Sequence, residues 1–155
     1  MDALTATVEM LIRKPPEVVF NAFANPRTIE QFWLKRTSGP MEPGATVTWE
    51  FMVEGAHETV TITEFVPNKT IAFTWSDGIS VTLGFAAHEA DGTRFSAAAS
   101  GFKGADAPSL AIGATEGFTI VACDLKSLLE TGQSGNMVRD KAVLIGAGAP
   151  TGMSN

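Results

Sequence analysis

The chain has 155 residues, enough for one domain with a sizeable buried core. Only 18% of them are charged, and Asp and Glu outnumber Lys and Arg by 17 to 11, for a formal net charge of −6. That light, acidic balance argues against nucleic acid or a membrane surface as partner, since both need clustered basic residues; Lys35-Arg36 is too little for such a surface. The single cysteine, Cys123, has no internal disulfide partner and fits a reducing compartment. No charged segment followed by an apolar run opens the sequence, and no stretch is long enough to span a bilayer, so the expected location is cytoplasmic.

Thr5 to Arg13 alternates, with Ala6, Val8, Met10 and Ile12 on one face, which is the period of a half-buried strand. Lys14-Pro15-Pro16 ends it, because proline lacks a ladder donor and suits the first turn of a helix. Glu17 to Ala24 reads as a short helix carrying Val19, Phe20 and Phe23. Asn25-Pro26 restarts the chain as a cap followed by a first-turn proline. The second short helix ends in the bulky run Ile29, Phe32, Trp33 and Leu34, and a loop rich in Gly and Pro follows.

From Ala45 to Phe102 the pattern changes to strands separated by tight turns. Val47, Trp49, Phe51 and Val53 alternate with polar residues, and Glu58 to Val66 runs back with Val60, Ile62 and Val66 in phase. Ile71, Phe73 and Trp75 mark the next strand. Asp77-Gly78 and Asp91-Gly92 are hairpin signals on either side of Ile79, Val81, Leu83 and Phe85. Thr93 to Phe102 then places Phe95, Ala97 and Ala99 on one face. Short turns make this run an antiparallel meander, since parallel neighbours need long crossovers.

Asp106 to Gly132 winds Leu110, Ala114, Phe118, Val121, Leu125, Leu128 and Leu129 onto one side of a long helix. Asp106 or Ser109 can cap its start, and Gly132 suits the position just past its end. It is the only element large enough to cover the apolar face of the sheet. The expected fold is therefore α+β, in the order β-α-α-β-β-β-β-β-α. A curved six-stranded antiparallel sheet wraps around the carboxyl-terminal helix, with the first strand on a sheet edge. One domain spans 1–132. Residues 133–155 form a tail that is either mobile or docked, and the apolar run Ala142 to Ile145 favours docking on its own domain or a second subunit.

Several motifs then follow in a characteristic order: a strand, "PPEVVFNAF", a helix ending in "FW", "FTWSDG", "DGTRFSAAASGF" and "GFTIVACDLKSLLETG". Together, over about residues 5 to 132, they resemble the bacterial homologues of the activator of Hsp90 ATPase. Those proteins belong to the START-like, or polyketide-cyclase-like, superfamily. The resemblance implies a helix-grip fold with a cavity between sheet and helix. Phe118 stands where that family commonly has a tryptophan, and Ala99 where relatives often carry a histidine. The resemblance does not imply one reaction, because this fold hosts carriers, cyclases and chaperone partners.

A cavity lined by this sequence would be strongly apolar and aromatic. Its candidate walls are Phe23, Phe32, Trp33, Trp49, Phe51, Phe73, Trp75, Phe85, Phe118 and Val121. The same rings could equally fill a solid core. Trp33, beside the Gly/Pro loop, suits a lid. The catalytic candidate is Glu64, which shares strand phase with Val60, Ile62 and Val66; facing inward it would have a raised pKa and could act as general acid or base. The alternative is that Glu64 emerges at the rim near Pro67-Asn68 and is solvated. His57 and His88 show no ligand spacing, so neither a metal nor another cofactor is expected. Cys123 lies off the apolar stripe with no adjacent cation and reads as structural. Ile120, on the polar side of the helix, is either an isolated exposed residue or part of a subunit contact. Three functions remain open: a non-catalytic binder of a small apolar or aromatic molecule, a chaperone-interaction module, and a cyclase- or hydrolase-type enzyme using Glu64.

Overall fold

In the computed structural model, which describes residues 4–147, the alternating segment Thr5–Ile12 is β1, with Ala6, Val8 and Ile12 buried. Pro16–Ala24 forms α1 and Pro26–Phe32 forms α2, each with proline in its first turn. The Asn25 side chain accepts the Arg27 N–H at 2.9 Å and so caps α2. The strands that follow are β2 (Leu34–Thr37), β3 (Thr46–Phe51), β4 (His57–Val66), β5 (Thr70–Trp75), β6 (Ser80–His88) and β7 (Gly92–Ser100). Two helices follow among the described residues, α3 (Ala107–Thr131) and α4 (Met137–Gly146).

All seven strands belong to one sheet in the order β1-β7-β6-β5-β4-β3-β2. Every neighbouring pair is antiparallel. β1 closes onto β7 with Val8 opposite Ala97 and Met10 opposite Phe95. The expectation of six strands omits β2. Its four residues carry one buried side chain, Leu34, and too little alternation to separate them from the apolar end of α2. What makes LKRT a strand is the neighbouring edge of β3, which pairs with it across a bulge between Leu34 and Arg36.

The inward faces of the sheet, the two short helices and the carboxyl half of α3 share one core. Trp49, Phe23, Phe32, Phe73, Phe95 and Leu125 are among its fully buried side chains. Along α3 the burial runs through Phe118, Val121, Ala122, Leu125 and Leu128. The amino end of that helix departs from the expected stripe, since Leu110 is 48% exposed. Helical period assigns Leu110 a side of the helix, but it carries no information on how far along the helix the cover extends.

Gly132 ends α3 in the left-handed conformation, φ +85°, a geometry that favours glycine. The chain then doubles back and α4 packs on α3. Ala142 is buried there and Val138 joins the core. The part of the expected tail over 148–155 lies outside the described residues. The fastening is polar. Asp124, on α3 and 1% exposed, accepts hydrogen bonds from Ser134 Oγ at 2.6 Å, Gly135 N at 3.1 Å and Val138 N at 3.1 Å. One buried carboxylate thus satisfies donors at the start of α4, where the helix dipole favours negative charge.

A second tie holds the other side of α3. Lys126 Nζ donates to Leu11 O at 2.6 Å and to Glu130 Oε2 at 2.7 Å. Glu130 Oε2 also accepts the Arg13 N–H at 2.8 Å. The end of β1 is therefore bonded directly to the helix that covers it.

Candidate ligand-binding site

Trp33 closes the carboxyl end of α2, its N–H donating to Ile29 O at 3.0 Å. From there its ring reaches into an aromatic cluster. It meets Trp49 edge-to-face with centroids 4.9 Å apart, and Phe118 of α3 at 5.8 Å. Phe118 lies flat against Trp75 of β5, with centroids 6.2 Å apart and 9° between the planes. Trp75 in turn stands perpendicular to Phe51 of β3, at 6.4 Å.

Four of these rings, Trp33, Phe51, Trp75 and Phe118, form one side of a cavity of about 350 Å³. That volume lies at the small end of the range for small-molecule sites. α3 contributes Ala114, Gly117, Ile120 and Val121, and α4 contributes Val138, Lys141, Ala142 and Ile145. Met52, Val53 and Ala56, at the β3–β4 turn, complete the wall. The space exists because α3 presents small side chains towards it. Ala114, Gly117 and Val121 follow at intervals of three and four residues, so they lie along one face of the helix. A Cβ built on Gly117 would meet nothing within 4 Å.

The polar groups around this cavity are few. Among the described residues Lys141 is the one charged residue on its wall, and Lys141 Nζ lies 3.1 Å from Glu116 Oε1. Trp75 Nε1 is buried and has no acceptor among the described residues. The Trp75 end of β5 is anchored by Glu58. Burial pushes the Glu58 carboxyl up, but hydrogen bonds from Ser76 Oγ, Ser76 N and Thr59 N outweigh it and hold the group below its ordinary value. A charged acceptor thereby fixes the turn that follows Trp75.

The ten candidate wall residues divide evenly. Trp33, Phe51, Trp75, Phe118 and Val121 line the cavity. Phe23, Phe32, Trp49, Phe73 and Phe85 do not line it and are buried in the core. Phe23, for example, packs against Phe32, Phe85 and Phe95 in the middle of the fold. Glu64 stands exposed and is not on the cavity wall. A bulge between Ile62 and Glu64 shifts the strand phase, so that Phe65 rather than Glu64 turns inward and packs against Phe20. Simple alternation carried from Val60 cannot register that extra residue.

Sequence reasoning also missed residues. Ile120 reads as lying on the polar side of α3, yet it lines the cavity, because α4 covers that side. Asp124, which also lies off the apolar stripe of α3, is buried for the same reason. The available signal was a pair of features: an out-of-phase Ile120 and an apolar run, Ala142 to Ile145, further along. Together they mark a seam between two helices.

A curved antiparallel sheet gripping a long helix, with an apolar cavity at one end, defines the helix-grip, START-like class of proteins. Within that class the chain belongs to the family described as activator of Hsp90 ATPase homolog 1-like protein, whose model matches residues 13–130. The match ends before α4. Protein SSP2350 from Staphylococcus saprophyticus is similar in structure, with a TM-score of 0.76 and 30% identity over 84% of this chain and 95% of that one. The Aha1 dimer from Colwellia psychrerythraea gives a TM-score of 0.75 at 18% identity, over 84% and 99% of the two chains. CalU16 from Micromonospora echinospora gives 0.70 at 14% identity, over 94% and 87%; at these last two identities the likeness is one of fold. No curated protein matches the chain. Among the described residues no helix is long and apolar enough to cross a membrane.

Proposed function

We propose that this protein is a non-catalytic binder of a small apolar or aromatic molecule, held between the rings of Trp33, Phe51, Trp75 and Phe118 and the seam of α3 with α4. The observation that carries this reading is the space of about 350 Å³ walled by four aromatic rings and the apolar side chains of α3 and α4. Side chains facing a void forfeit dispersion contacts that an occupant of matching shape restores. The non-catalytic part of the reading rests on the walls, whose one titratable side chain among the described residues, Lys141, is engaged by Glu116. Titrating naphthalene into the ¹⁵N-labelled protein tests the proposal. The expected result is saturable shifts confined to the amides of residues 114–121 and 138–145 and to the indoles of Trp33 and Trp75. Their absence rejects it.

Exposed apolar residues support a second reading, contact with another copy of the chain. Ile112, Val143 and Leu144 are 71%, 64% and 65% exposed, on α3 and α4. The Colwellia relative is named as a dimer. Sedimentation of the protein and of Leu144→Lys distinguishes the cases: a dimer converted to monomer by the substitution supports the contact, and a wild-type monomer rejects it.

A further inference from the structure

The wall that α4 supplies to the cavity is fastened unevenly along its length. Asp124 holds its amino end, accepting hydrogen bonds from Ser134, Gly135 and Val138, and the Lys141–Glu116 pair holds its middle. Beyond Lys141 no hydrogen bond or ion pair among the described residues joins α4 to another element. Of the ten residues of α4 only Ala142 is buried. A helix that short owes its place to packing rather than to propensity. Ile145 lines the cavity and is nonetheless 43% exposed, so the cavity meets solvent beside the least fastened turn of the helix. The link ahead of α4 has the features of a hinge. Gly132 and Asn136 both take positive φ, +85° and +58°, which these residue types tolerate, and hinges are commonly a few residues at element ends.

We propose, building on the binding reading above, that α4 is a hinged flap. It pivots on Gly132–Asn136 with its amino end kept in place by Asp124, and its carboxyl turn closes over the occupant towards the β3–β4 turn. An occupant touching Ala142 and Ile145 gives α4 apolar contacts that the empty cavity does not. It therefore binds the closed arrangement better than the open one, as a ligand-driven shift requires.

Spin labels on the full chain test this, with naphthalene as probe. Cys123→Ser removes the single native thiol. Labels then go on Glu54→Cys in the β3–β4 turn and Leu144→Cys on α4, two exposed positions off the cavity wall. Saturation with naphthalene should shorten and narrow the distance distribution between them, measured by double electron–electron resonance. A reference pair, Glu54→Cys with Thr119→Cys on α3, should not move. If the labelled chains do not fold, hydrogen exchange of wild type decides. The amides of Leu144 to Gly146 should exchange faster than those of Leu125 and Leu128, and naphthalene at about ten times its Kd should slow them about tenfold. An unchanged 54–144 distance, or unaltered exchange over 144–146, overturns the flap while the naphthalene-induced amide shifts leave the binding site standing. Equal changes in both distances assign the motion to the β3–β4 turn and also overturn it. Absence of any naphthalene-induced shift removes the binding reading, and the flap with it.

Discussion

Asp124 and Val138 are joined across the seam between α3 and α4, the carboxylate Oδ2 accepting the Val138 N–H at 3.1 Å from within the protein interior. With Ser134 and Gly135 on the other oxygen, the side chain uses both lone-pair faces to anchor the segment that closes the cavity. Asp124→Asn removes the charge and places an amide N–H₂ among three donors. The expected loss is about 1–3 kcal/mol, or roughly 2–4 °C in Tm for each kcal/mol. Hydrogen exchange gives the decisive pattern: α4 amides become fast while those of β6 and β7 keep their protection. Retained protection in α4 refutes the role given to this carboxylate.

Gly117 sits in the middle of α3 with open space beyond it. Gly117→Ala should stabilise the protein by about 0.5–1 kcal/mol, because alanine restricts the unfolded chain and meets no obstacle in the helix. Gly117→Phe should put a ring into the cavity. The chain stays folded by circular dichroism, and naphthalene binding is lost. Unchanged binding in Gly117→Phe would show that the occupied space lies elsewhere.

The bulge in β4 assigns opposite fates to adjacent residues. Phe65 packs against Phe20 and the core, whereas Glu64 is exposed. Phe65→Ala is expected to cost about 3 kcal/mol, and Glu64→Ala about 0.5 kcal/mol or less. Urea unfolding of the two variants measures both. A large cost at Glu64 would restore it as a residue with a buried role.

Glu130 sets an acid-side dependence of stability. Burial pushes its carboxyl up, but the Lys126 ammonium and the Arg13 N–H outweigh this and hold it below its ordinary value of 4.5. A group with a lowered folded pKa binds fewer protons folded than unfolded. Its contribution is therefore full above pH 4.5 and disappears as pH falls through the folded value. Wild type and Glu130→Gln should differ in urea midpoint at pH 7 and converge as pH falls through the lowered folded value. A difference that persists unchanged at low pH contradicts the assignment.

The sequence discloses the architecture wherever one face of an element is apolar over its whole length. β1, β3, β6 and β7 bury the residues that their alternation marks, among them Val8, Trp49, Leu83 and Phe95, and prolines mark both short helices. The errors occur where a distant partner decides. Leu34–Thr37 is a strand because β3 offers an edge, and Glu64 turns outward because β4 gains a bulge against β5. The candidate site was half legible for a related reason. Aromatic content names the rings, but Phe23 and Trp75 look alike in composition. Only packing separates the one enclosed by other rings from the one that borders a void.

The order of strands has a consequence for assembly. β3 to β7 join successive neighbours over short turns, whereas β1 must find β7, with Thr5 opposite Ser100. Loop-closure entropy makes that pairing the slow one, and synthesis delays it further, since β1 leaves the ribosome before the strand it needs. Until β7 emerges, Ala6, Val8 and Ile12 have no sheet to join. Nascent chains are therefore most vulnerable to aggregation in that interval, and a chaperone that shields the first strand would matter more to yield than one acting on the finished fold.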